Sequence, residues 1–376
     1  MAAGAELSEA REIRRADILR AARKPFRISS VRSDDKIFAV EETALLDLPF
    51  ASLTVFTRGK AGADRKFLVV PPLAGAFPAL MRDLVVALLR HADKVAVADW
   101  LDPRFVPLDA GRFGFSENVL SLVEMIRACG RDAHVVAVCQ AASPALAATA
   151  LLAADEPDAV PRSLTLIGGP IDPAANPSGV AQALGARSLD WIRDNLIEPA
   201  PPGYPGSGRR VYARERQFRS FLTYLERHLL RQGELFWKLL FDDGEAPLRF
   251  PFWTLISTLM DLTEEFVLED VQAVFHERAL ARGALIVGGR RVDPRAIVST
   301  SVLAIEGGAD DLAPPGQTRA ALDLVGHAAA ERRRHVLIEN CGHFSLFHGH
   351  ICRQKIVPAI VSLADSAKRP LSKRRR

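Results

Sequence analysis

Three residues of this 376-residue sequence are of the types and in the order needed for nucleophilic attack on a carbonyl: Cys139, Asp310 and His343. A thiolate attacks the carbon. A nearby imidazole takes the thiol proton and later protonates the departing alkoxide. A carboxylate holds that imidazole in its useful tautomer and stabilises it once charged. Cys139 comes directly after His134-Val135-Val136-Ala137-Val138, which reads as a buried strand, and the small residues behind it open a helix that continues through Leu151. Ala137 and Ala141 stand two before and two after the cysteine. A tight strand-to-helix turn that pushes its central side chain over the sheet edge needs small residues at both places. The usual pattern has glycine at both and serine between them, so this stretch departs from it three times. Taken alone, the cysteine reads equally well as an inert core residue; the company of an acid and a histidine favours a nucleophile.

Those partners lie in loops of the matching kind. Asp310 belongs to Gly307-Gly308-Ala309-Asp310-Asp311, which closes a strand at 301–306, and Gly307 lets the chain turn out of it. Asp310 is the first carboxylate aimed back towards the site, while the adjacent alternative, Asp311, reads as a capping or loop residue. His343 follows Gly342 at the exit of a strand at 335–338. His348 and His350 lie further along the closing segment, and His134 starts its strand at the opposite end of the sheet. The oxyanion needs donors as well. The backbone N–H of Gln140, next after the nucleophile, is one, and Ala74 in Leu73-Ala74-Gly75-Ala76 after the strand at 67–70 is the other. A sulfur at the first position of a helix is also favoured as thiolate.

The elements that must position these residues alternate regularly. Short strands are expected from Phe38-Ala39 and at 51–56, then at 67–70, 94–98, 134–138 and 163–167, with helices at 78–89, 117–128 and after Cys139. Such alternation implies βαβ units and a mostly parallel sheet covered on both faces. The rhythm breaks at 171–296, a stretch rich in aromatics and arginines with helical periodicity, and returns with the strands at 301–306 and 335–338 and a last helix at 349–364. The expected organisation is an arm and leading segment (1–50), a core in two parts (51–170 and 297–364), a helical cap (171–296) and a basic tail (365–376). This is the arrangement of an α/β-hydrolase fold carrying a cap, with strand ends meeting on one edge where sites form.

Composition limits the alternatives. With 48% hydrophobic residues the chain can bury a full core. Four cysteines without CxxC spacing, and an N-terminus that opens with charge, point to a reducing, cytoplasmic compartment. Six of the basic residues fall in 368–376; taking them from the net +4 leaves −2 for the body, so no basic face for nucleic acid is expected. No GxGxxG, no GxxxxGK[ST] and no HExxH occurs, so neither a cofactor nor a metal is expected. No apolar run is long enough for a transmembrane segment.

HVVAVCQAASPALAA (134–148), DW (99–100), DPRFVPLDAGRFGFSENV (102–119), MDLTEEFVLEDVQAVFHERALARG (260–283), GGRRVDP (288–294), EGGADDLAPPGQTRAA (306–321) and ENCGHFSLFHGHICRQKIVPAI (339–360) together resemble the intracellular poly(3-hydroxybutyrate) depolymerases of bacteria, over roughly residues 50–362. In that family a cysteine within V-C-Q replaces the hydrolase serine, an aspartate lies in GxxDD and a histidine in a CGH loop. The resemblance therefore implies Cys139, Asp310 and His343 as the triad, ester hydrolysis of amorphous storage polyester, and the granule surface as partner. The family's P-M-S-G-H loop reads Pro72-Leu73-Ala74-Gly75-Ala76 here, without the histidine. Related polyester synthases use the same three residue types but keep glycines at the elbow, which favours the depolymerase. A cysteine esterase acting on soluble hydroxyacyl esters, a synthase-like acyltransferase and a non-catalytic granule protein are the alternatives.

Overall fold

The computed structural model describes residues 26–33, 35–59, 65–73, 79–220 and 259–367. The first part of the expected arm (1–25), the loop holding Ala74, the aromatic stretch from Phe221 to Trp253 and the basic tail from 368 onward lie outside the described residues.

Among the described residues seven strands precede the insertion: β1 (Ser30–Ser33), β2 (Lys36–Leu48), β3 (Ala51–Arg58), β4 (Lys66–Val70), β5 (Lys94–Trp100), β6 (Ala133–Val138) and β7 (Ser163–Ile167). Within it lie β8 (Ile197–Pro199), β9 (Arg210–Tyr212), β10 (Leu262–Thr263), β11 (Ile286–Val287) and β12 (Arg290–Arg291), and after it β13 (Ser301–Gly307) and β14 (Arg333–Ile338). Nine strands form one sheet in the order β1-β2-β3-β5-β4-β6-β7-β13-β14. Pairing is parallel from β5 through β14 and antiparallel among β1, β2, β3 and β5. This is the α/β-hydrolase fold.

The central strands are apolar because both faces are covered. Along β6, Val135 and Ala137 pack into one layer with the helices Phe115–Cys129 and Ala142–Asp155. Val136 and Val138 pack into the other, with Ala79–Leu89 and Val357–Ser366. The helix Ala142–Asp155 is buried without a break from Ala142 to Leu152, so it shows no polar stripe. The strand β2 has an exposed, acid-interrupted pattern and a bulge between Ala44 and Leu46, which hides its thirteen-residue length from a reading by hydrophobic runs.

The insertion is helical, with Gly179–Gly185, Leu189–Leu196 and Glu264–Asp270, the last continuing as a π-helix over Val271–His276. It also carries the antiparallel sheet β8-β9-β10 and the hairpin β11-β12. Strands of two or three residues are too short to show a period in the sequence, which is why the stretch reads as helix alone. Among the described residues no helix is long and apolar enough to cross a membrane.

Candidate active site

The parallel strands β6, β7, β13 and β14 are neighbours, so their C-terminal ends open on one edge of the sheet. Cys139 leaves β6 with φ of +55° and heads the turn Cys139–Ala141, from which the helix Ala142–Asp155 starts. A left-handed conformation is uncommon outside glycine and is kept where the surroundings over-determine it. Here they do. Ala137 and Ala141 are buried, and the neighbouring strand end supplies a third small residue: a Cβ on Gly169 would stand 2.2 Å from the Ala142 Cβ and 2.6 Å from the Cys139 carbonyl oxygen. Gly169 is held in turn. Its N–H donates to the Thr318 hydroxyl (2.8 Å), which donates to the Gly169 carbonyl (3.0 Å).

Asp310 and His343 come together as their loops suggest. His343 Nδ1 lies 2.7 Å from Asp310 Oδ2, with both side chains buried. The other carboxylate oxygen, Oδ1, accepts the N–H groups of Leu312 and Ala313, each at 2.9 Å. Asp310 thus also caps its own loop, and Asp311 beside it is exposed. Gly307 serves by leaving room for close approach: a Cβ there would sit 2.4 Å from the Cys341 carbonyl oxygen. Behind this loop, Glu306 is fully buried and its Oε1 accepts from the N–H groups of Gly316, Thr318 and Arg319, while Oε2 meets His335 Nε2 at 2.9 Å.

The Cys139 sulfur is near enough to His343 to favour its protonated form. The His343 ring lies edge-on between Phe344 and Phe347, with centroids 5.6 and 5.4 Å away. Burial works to lower its pKa, but the negative charges of Asp310 and of the Cys139 sulfur, with the hydrogen bond to Asp310, outweigh that and raise it well above 6.5. The other cysteines differ in kind. Burial pushes the Cys129 thiol up to about 12, and burial with the nearby Asp310 charge pushes Cys341 up to about 11. Cys139 is partly buried. Of the rival histidines, His134 sits at the start of β6 against Ser163 Oγ (2.8 Å), and His348 stands 3.9 Å from Asp83.

Gln140 follows the cysteine in the turn, where its N–H belongs to the elbow. The second donor expected, Ala74, lies outside the described residues. Among those described, no group of three or more His, Cys, Asp or Glu side chains could hold a metal ion. Three contributors escaped the sequence reading: Gly169, which read only as the end of a strand; Glu306, hidden inside an apolar strand; and Asp270. The last did leave a trace. It is an acid at the i+4 position between Phe266 and Val274, on the buried stripe of its helix.

Residues 168–368, more than half of the chain, match the family model described as PHB de-polymerase C-terminus. The chain belongs to that family. The matched span contains Asp310, His343 and Asp270, while the elbow at Cys139 precedes it. No curated protein matches the sequence. Solved structures similar to this family member include a membrane phospholipase A described as a bacterial virulence factor (15% identity, TM-score 0.43, covering 97% of this chain and 92% of that one). Others are a monoacylglycerol lipase of Paleococcus ferrophilus (12%, 0.46, 88% and 99%) and a thermophilic esterase of Thermogutta terrifontis (12%, 0.45, 87% and 99%).

Proposed function

We propose that this protein is a polyester depolymerase that hydrolyses the ester bonds of amorphous poly(3-hydroxybutyrate) through Cys139, His343 and Asp310. The observation that carries the reading is a partly buried cysteine, held in a left-handed turn at a strand end, on the same sheet edge as a histidine bound to a buried aspartate. The family match and the resemblance of the V-C-Q elbow support the polyester as substrate.

In the first half-reaction the Cys139 sulfur bonds to the ester carbonyl carbon, with the oxyanion received by the Gln140 N–H and a second amide of the Ala74 loop. The tetrahedral adduct collapses, the C–O bond breaks, and the His343 proton goes to the departing alkoxide. This leaves a hydroxyl-ended chain and a thioester. In the second, His343 takes a proton from water as the water attacks; the C–S bond breaks, the sulfur returns and a free acid leaves. Asp310 orients the ring and stabilises its charge in both steps. The insertion at 171–296 would form the entrance for the polymer chain, and the protein would act in the cytoplasm at the granule surface.

The test is a parallel assay on native granules, denatured polymer, soluble hydroxybutyrate oligomers and hydroxybutyryl-CoA. Release of hydroxybutyrate from granules, lost in Cys139→Ala, is the expected outcome. Activity on soluble esters alone would remove the polymer from the assignment, and chain growth from the CoA ester would replace hydrolysis by synthesis.

A further inference from the structure

Asp270 is a buried acid that the triad does not use. It closes the helix Glu264–Asp270 of the insertion, immediately before the π-helix Val271–His276; single π turns of this kind recur at functional sites. Only 5% of its surface is exposed. Its Oδ2 accepts a hydrogen bond from the Gln140 side-chain amide at 2.7 Å, a link across 130 residues from the insertion to the residue after the nucleophile. Its Oδ1 is buried with no hydrogen-bond partner among the described residues. A buried polar oxygen left bare costs stability, so its retention calls for a reason outside the fold. The preceding residue ties the same helix down: Glu269 accepts the Phe115 N–H at 2.8 Å, at the start of the core helix Phe115–Cys129.

We infer that Asp270 is a positioning residue, a side chain of the insertion that fixes Gln140 and thereby holds the first amide of the elbow turn where the oxyanion forms. The inference rests on the proposed role of Cys139 as nucleophile. Cys139 already lies in a strained conformation, so the peptide that follows it needs an external hold to keep one orientation while charge builds on the substrate oxygen. The Gln140 side chain supplies the handle. Burial, opposed only in part by the Gln140 hydrogen bond, pushes the Asp270 pKa up to about 7. Of the other acids on its helix, Glu264 pairs with Arg193 and Arg210 and Glu269 with Arg112, while Glu265 Oε2 is buried without a hydrogen-bond partner among the described residues. The neutral acid is matched in shape and in acceptor by asparagine.

The test uses the full-length chain with Asp270→Ala, Asp270→Asn and Cys139→Ala, an activated butyrate ester as substrate and iodoacetamide as the probe of Cys139. Asp270→Ala is expected to lower kcat roughly 30-fold or more, approaching the roughly 100-fold or greater loss that follows removal of an oxyanion donor itself, while KM and the alkylation rate of Cys139 stay within about threefold. Asp270→Asn is expected to restore most of kcat. Wild-type kcat in Asp270→Ala would overturn the inference, as would a parallel collapse of alkylation, which would mark Asp270 as a prop of the fold. The Cys139→Ala arm separates this from the underlying reading. If that variant turns over the ester, the nucleophile is wrong whatever Asp270 does; if it is dead and Asp270→Ala is normal, only the positioning role fails.

Discussion

Asp310 divides its two carboxylate oxygens between two tasks: Oδ2 meets His343 Nδ1 at 2.7 Å, and Oδ1 receives the N–H groups of Leu312 and Ala313. The second task fixes the direction of the first, because a carboxylate tied to its own loop cannot rotate away from the ring.

The pair of neighbouring acids should therefore separate cleanly on mutation. Asp310→Asn is expected to lower turnover roughly 100-fold or more, as loss of a triad acid does elsewhere. It should also cost about 1 kcal/mol of stability as the cap weakens. Asp311→Asn should stay near wild type in both respects. Turnover with circular dichroism and urea unfolding on the two variants decides it, and a dead Asp311→Asn beside an active Asp310→Asn would reassign the acid.

His343 carries a pKa raised well above 6.5, and the groups responsible are Asp310 and the Cys139 sulfur. The ring thus keeps its proton at neutral pH, and a protonated imidazole favours ionisation of a neighbouring thiol. Removing it in His343→Gln should slow alkylation of Cys139 at pH 6.5 by about 10- to 100-fold, because an ordinary thiol ionises only near pH 8.5. At pH 9 the two rates should converge. Iodoacetamide rates across that range provide the measurement, with the site of modification located by mass. Equal rates at pH 6.5 would show that the imidazole does not act on the sulfur. Cys129 and Cys341, raised to about 12 and about 11, should stay unlabelled throughout.

Asp270 gives the stability of the whole chain a pH dependence of known sign. Its carboxyl is raised from 3.8 to about 7 in the folded state by burial, so between those values the unfolded chain has lost a proton that the native chain keeps. Stability from this group is complete below about pH 4 and declines as pH rises through 7, by on the order of 4 kcal/mol across roughly three units. Asp270→Asn has no such proton. Its stability relative to wild type should improve between pH 4.5 and pH 8 in urea titrations, whereas a constant difference would mean that the carboxyl is not held neutral.

Much of the site was legible because its residues follow strand ends, and a strand buried on both faces announces itself as an apolar run: 134–138, 163–167 and 301–306 all fall inside observed strands. Cys139 and Asp310 could be found as the reactive types at two such exits, and His343 at the exit of the half-exposed edge strand β14. Gly169 could not be read in the same way, since the need for a missing Cβ arises from the Ala142 methyl group and the Cys139 carbonyl of another strand's turn. Glu306 and Asp270 sit in apolar stripes, where one acid looks like an interruption until its partners in distant loops are seen. The strands β8 to β12 were lost for want of length, and the full extent of β2, expected only as a short strand from Phe38-Ala39, because its alternation is broken by acids and a bulge.

The proposed mechanism requires a covalent bond at one sulfur, that of Cys139. Mixing the protein with an activated hydroxybutyrate ester, quenching in acid within the first turnovers and digesting for mass spectrometry should reveal the acyl mass on the peptide containing Cys139. The adduct should be labile to hydroxylamine as a thioester is and absent from Cys139→Ala, which should also have lost turnover. An unmodified Cys139 peptide together with undiminished turnover in Cys139→Ala would contradict the mechanism outright.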